Sequence, residues 1–92
     1  MSGGPVAHHY LKCWPMYFEE ILTGRKTFDV RATADRIFQA GDAVTFCEFS
    51  PQTKNYLGRE HTVEVIGVYH DLPGVAPGHC VLSICQRSTP DA

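Results

Sequence analysis

Within the stretch LTGRKTFDVR, Leu22 to Arg31, three cations (Arg25, Lys26 and Arg31) surround one carboxylate, Asp29. An aspartate held between cations stays ionised and can orient a ligand's amino groups or activate water, while the planar fork of Arg31 suits phosphate or carboxylate. The same spacing also fits a surface ion network that contributes little. Upstream, Lys12 and Trp14 share one face of an extended segment, where the indole could stack on a base and the ammonium could meet a phosphate. The plainer alternative is that Trp14 packs on the start of the following helix. Tyr17 and Tyr56 read as packing or loop surface, Thr27 as an ordinary strand threonine beside Lys26, and Asp71, next to His70, as a turn residue. Glu60 and Glu64 read as solvated.

The thiols and imidazoles point elsewhere. Cys13, Cys47, Cys80 and Cys85 lack the close paired spacing of zinc ribbons, and the five histidines are scattered. Cys13, Cys47 and Cys85 fall where strand-core residues would, so reduced, buried thiols acting as small hydrophobes are expected, without a metal or a cofactor.

A chain of 92 residues has room for one core and a shallow cleft. With 43% hydrophobic and 20% charged residues it has the composition of a folded domain. The formal net charge of -2 argues against wrapping double-stranded DNA, which needs a clear excess of Lys and Arg. Bases crowd between Lys12 and Arg36, whereas acids gather at Glu19 and Glu20 and from Glu48 to Glu64. The start MSGGPVAHHY has no secretory pattern and no apolar run approaches a membrane span, so a cytoplasmic location without membrane contact is expected.

These residues must be positioned by short elements. A first strand is expected from His8 to Trp14, with Leu11 and Cys13 on one face. Pro15 then opens a helix to Thr23, its buried stripe being Phe18, Ile21 and Leu22, with Glu19 and Glu20 near its positive end. In TFDVR, period two with apolar residues inward puts Phe28 and Val30 inside and Thr27, Asp29 and Arg31 on the opposite face. Further strands are expected over Ala43 to Phe49, Arg59 to Tyr69 with a bend at Gly67, and Cys80 to Gln86. The expected class is α+β, mostly β: a small β-barrel of about five strands with one early α-helix packed against it. Residues 1–7 are expected to form a flexible N-terminus, 8–87 a single domain and 88–92 a tail.

The run Gly24-x-Lys26-x-x-Asp29-x-Arg31 resembles the G-x-K-x-x-E-x-R signature of ASCH domains, a branch of the PUA-like superfamily of small β-barrels. The likeness extends through H-x-L-K-x-x-P-x-Y-F from His9 to Phe18, F-x-x-G-D from Phe38 to Asp42, G-R-E from Gly58 to Glu60 and D-L-P-G-x-x-P-G from Asp71 to Gly78. These together look like a compact bacterial and phage branch of ASCH-related proteins. The resemblance implies a cleft between helix and barrel lined by the signature residues, and RNA or a modified nucleoside or nucleotide as partner. A relative in the superfamily is an acetylcytidine amidohydrolase with a lysine, a threonine and a glutamate in catalysis. Lys26 matches its lysine, but Asp29 stands where its threonine would be.

Three functions follow as expectations. The first is a binding module for RNA or a nucleoside, with Lys12, Trp14, Lys26, Asp29 and Arg31 around the ligand. The second is a small hydrolase, an amidohydrolase or a ribonuclease, with Lys26 and Asp29 as the reactive pair. The third is an accessory protein that binds a protein partner through its acidic strand region.

Overall fold

Alternation in HHYLKC produces the first strand, β1 (His8–Cys13), with His9, Leu11 and Cys13 buried and His8, Tyr10 and Lys12 outward. The computed structural model describes residues 6–86; of the expected N-terminal and C-terminal flexible segments, residues 1–5 and 88–92 lie outside it. Ala7, assigned to the first of these, is tied in: its amide donates to Asp42 Oδ1 at 3.1 Å and its carbonyl accepts from Ala43 at 3.0 Å.

Trp14 keeps extended dihedrals, and Pro15 opens α1 (Pro15–Leu22) with its fixed φ and missing donor at a position that needs neither. The helix ends at Thr23, and Gly24 takes φ +83°, the left-handed conformation that glycine adopts without steric cost. Gln86 Nε2 donates to the Ile21 carbonyl at 2.9 Å and so satisfies one of the terminal acceptors. Phe18 and Ile21 are buried as expected, but Leu22 is exposed, because a helix this short turns only one narrow stripe toward the sheet. The acids also lie later than expected, with none in the first turn.

The remaining strands are β2 (Phe28–Ala32), β3 (Ala43–Ser50), β4 (Asn55–Tyr69) and β5 (His79–Gln86), in one sheet of order β1-β3-β4-β5-β2. β1 and β3 run parallel and every other pair is antiparallel. The architecture is therefore mostly β with one short helix, and the sheet curls into a half-barrel. Its curl is helped by two irregularities. Between Cys47 and Phe49 the register slips, so that Glu48 faces the β4 segment around Arg59. At Ile66 one residue of β4 bulges out of its pairing with β5, next to the anticipated bend at Gly67. The ring of Tyr69 covers Gly67 so closely that any Cβ there would collide with it.

The concave side is filled by Leu11, Phe18, Ile21, Phe38, Val44, Phe46, Val63, Val65, Cys80, Leu82 and Ile84, with Cys13 at its margin. Cys13 and Cys80 are buried, while Cys47 and Cys85 are only half-buried, so two of the three cysteines assigned to the core stand on the sheet's other face; all four are free.

One expectation is inverted. On β2, Asp29 faces the interior, whereas Phe28 and Val30 are about half exposed. Register dictates this: Asp29 lies opposite Leu82 and Arg31 opposite Cys80, both fully buried on the inner face of β5, and directly paired residues share a face. Period two identifies the two faces of a strand without saying which one is inside.

Two charge clusters lock this frame. His9 Nε2 lies 2.8 Å from Asp42 Oδ2, both residues being buried, and Asp42 also accepts from the amides of Ala7 and Gln39. Burial works to raise the Asp42 pKa, but the hydrogen bonds from His9, Gln39 and Ala7 outweigh it and hold the carboxyl below its ordinary value. On the opposite flank, Arg59 grips Glu48 through Nε and Nη2 at 2.9 and 3.0 Å, and also pairs with Glu19 of α1. These bonds hold Glu48 below the usual carboxylate range, and the guanidinium lies 4.9 Å from the Phe18 ring centre.

A carboxyl with a lowered folded pKa stabilises the fold fully above its unfolded value, about 4, and this contribution is lost as pH falls through the folded value. Urea unfolding should therefore show stability falling below about pH 4, with a shallower fall in Asp42→Asn. At neutral pH, Asp42→Ala should cost about 3 kcal/mol, as expected when a buried pair loses one partner.

Candidate nucleobase site at the open seam

Because the sheet does not close, β1 and β2 are its two edges. Arg31 spans the seam between them: Nη2 donates to the backbone carbonyl of Lys12 at 2.7 Å, while Nε donates to Asp29 Oδ2. The other oxygen of Asp29 accepts from Lys26 Nζ at 3.1 Å, and Nζ also donates to the Phe28 carbonyl at 3.0 Å. One buried carboxylate thus gathers two cations, which leaves a net charge of +1 on the trio.

Beside this trio lies a hollow of about 240 Å³, lined by Lys12, Cys13, Trp14, Tyr17, Asp29, Val30 and Arg31. It is smaller than the roughly 300–1,000 Å³ of clefts that enclose drug-sized ligands. Trp14 is 51% exposed, so it is free on one side. On its other side the Tyr17 ring stacks at 6.2 Å and 22°. Lys26 Nζ lies 5.4 Å from the same tyrosine ring and 4.8 Å from Phe28. An unbroken series of contacts therefore runs from Trp14 through Tyr17, Lys26 and Asp29 to Arg31.

Of the five residues expected around a ligand, Lys12, Trp14, Asp29 and Arg31 line this hollow. Lys26 lines an adjacent one with Thr27, Val63 and Gln86, and joins the first group through its ammonium. Lys12 contributes its carbonyl to Arg31, while its ammonium lies over the Phe49 ring at 4.6 Å. Arg25 stands apart, in a surface dip with Glu19, Glu20 and Thr23. His70 and Asp71 are exposed. Tyr17, read as ordinary packing, backs the indole; its place three residues beyond Trp14, across the first helical turn, was the available signal.

The cluster keeps unused hydrogen-bonding capacity. Arg31 has five donors, of which the bonds above use two, and each oxygen of Asp29 retains a lone pair. Donors and an acceptor therefore stand side by side next to an aromatic face. Cys13 is a poor nucleophile at neutral pH, because burial and then the Asp29 carboxylate push its thiol up to about 11. Among the described residues, no group of three His, Cys, Asp or Glu side chains is arranged to hold a metal. No helix among them is long and apolar enough to cross a membrane.

Asp29→Ala should leave two cations facing an emptied interior position, at a cost of about 3 kcal/mol in urea unfolding. In the native protein a thiol reagent followed by mass spectrometry should label Cys47 and Cys85 ahead of Cys13 and Cys80. Asp29→Ala should speed the labelling of both Cys13 and Cys80, since it removes a charge that helps keep the two thiols protonated.

No curated protein shows a significant match to the chain. A family match extends over residues 8–84, from the first strand almost to the end of the last, and takes in every residue of the seam. The chain belongs to the family described as Domain of unknown function (DUF3850).

Proposed function

We propose that the seam hollow binds a nucleobase, presented as a nucleoside, a nucleotide or an unpaired position of single-stranded RNA. The observation that carries this reading is the half-exposed Trp14, backed by Tyr17 and standing beside the Asp29, Lys26 and Arg31 cluster. The indole offers a stacking face, a contact worth roughly 1–3 kcal/mol per base. Asp29 accepts from base amino groups, and the unused donors of Arg31 meet a carbonyl or a phosphate. The resemblance to ASCH domains supports the same assignment. A cytoplasmic setting agrees with four free cysteines.

Binding fits the geometry better than hydrolysis. Both oxygens of Asp29 are already held in place by Lys26 and Arg31, an arrangement that suits recognition better than attack. Thr27, the nearest hydroxyl in sequence, lines the adjacent hollow.

Trp14 is the chain's one tryptophan, so its fluorescence reports directly on stacking. Titration with adenosine, cytidine, acetylcytidine, their monophosphates and short single-stranded RNAs should give saturable quenching by at least one class. Arg31→Lys and Tyr17→Ala should weaken it about tenfold, the equivalent of 1.4 kcal/mol. No quenching by any of these compounds overturns the reading. Release of acetate from acetylcytidine, abolished by Lys26→Ala and Asp29→Asn, would establish a hydrolase instead.

A further inference from the structure

Tyr10, Lys12 and Trp14 occupy alternate positions along β1 and its extended continuation, where Trp14 keeps φ -66° and ψ 150°. They therefore project from one face, with about 13 Å between the first and last Cα. Trp14 borders the seam hollow. Tyr10 borders a second hollow of about 230 Å³, together with Cys47, Tyr56, Arg59 and Glu60. Between the two stands Lys12, whose ammonium rests over Phe49.

Each exposed ring on this face is backed by another ring. Tyr17 stacks on Trp14; His8 lies parallel to Tyr10 at 4.6 Å and 2°; Phe49 meets Tyr56 edge-on at 5.1 Å. Tyr10 and Tyr56 still expose 60% and 59% of their surface. Rings held from behind and open in front are platforms whose ordering cost is met within the fold. A lysine between aromatic platforms is the arrangement that a single strand recognises, with bases on the rings and a phosphate on the cation.

The polar groups of the second hollow are unevenly committed. Arg59 is taken up by Glu48 and Glu19. Among the described residues no cation pairs with Glu60, which has only the weak Cys47 thiol at 3.9 Å. A carboxylate beside a stacking ring accepts from an exocyclic amino group, as acidic side chains do from cytosine N4.

We propose that the Tyr10–Tyr56 hollow is a second base subsite, so that the ligand is a single-stranded oligonucleotide of at least two residues. One base lies on Trp14, the linking phosphate at Lys12, and the next base, one carrying an amino group, on Tyr56 against Glu60. This inference rests on the seam reading above, and the test separates the two.

Trp14 quenching is measured for AMP and for the dinucleotides ApC, CpA, ApU and UpA. One of the cytidine dinucleotides should bind at least about fivefold tighter than AMP and than its uridine counterpart, the low end of what one stacked base contributes. Tyr56→Ala should remove that gain while leaving AMP affinity unchanged, and Glu60→Gln should remove the preference for cytidine. If AMP quenches but no dinucleotide binds more tightly, or the gain survives Tyr56→Ala, the second subsite is overturned and the seam reading stands. A gain equal for cytidine and uridine overturns the role of Glu60. If neither AMP nor any dinucleotide quenches, the second subsite is overturned, and the seam reading falls with it when the nucleosides, other monophosphates and short RNAs above are silent too.

Discussion

A carboxylate that must face inward on an edge strand is the constraint around which this molecule is arranged. Asp29 sits opposite a fully buried leucine, and an unmatched charge there would be expensive. Lys26 and Arg31 supply the match, and each carries a further bond: Lys26 to the Phe28 carbonyl and Arg31 across the seam to Lys12. The gap in the half-barrel is thereby spanned by a guanidinium instead of a backbone ladder. A ladder would have consumed the backbone groups of both edges, whereas a guanidinium leaves donors unused and a hollow beside them.

Of the other two charge clusters, one is buried and one is partly exposed, with only its Glu48 covered. His9 with Asp42 joins the first strand to the turn before β3, and its bonds are directed at neighbouring backbone. Arg59 pins α1 to the sheet through Glu19 while satisfying Glu48. Both sets tie separate pieces of chain together at joints of the fold. The Asp29 set meets the open seam hollow beside Trp14 and Tyr17, while the Arg59 set borders the Tyr10–Tyr56 hollow with its guanidinium already taken up by Glu48 and Glu19. Buried ion pairs add little net stability compared with well-packed apolar residues, so their places are better explained by the positions that they enforce.

Much of this architecture was legible in the residues. Pro15 and Gly24 marked the ends of the helix, alternation in β1 set its inner face, and Gly67 located the bend of β4. The meeting of Lys12, Trp14, Asp29 and Arg31 was legible only through the signature spacing together with the resemblance, because β1 and β2 are joined by no ladder. What was not legible is whatever depends on register. Phe28 and Val30 looked like core because they are apolar, yet the pairing with β5 turns them outward. Glu48 and Arg59 lie 11 positions apart, and nothing local announces the slip between β3 and β4 that aims them at each other.

The inversion of β2 also bears on what kind of recognition this surface favours. With Asp29 and Arg31 inside, the cations nearest the seam are partly neutralised by a carboxylate, and the whole chain carries a formal net charge of -2. Long-range attraction of a polyanion is weak under those conditions, and affinity drawn from counterion release is correspondingly small. The proposed ligand would then be held mainly by short-range contacts. The rings of Trp14, Tyr10 and Tyr56 are each supported from behind, so little side-chain freedom remains to be lost when a flat ligand covers them. On the proposed reading, such a surface would discriminate by planarity and by the edge of the ligand, with charge serving to orient what stacking holds.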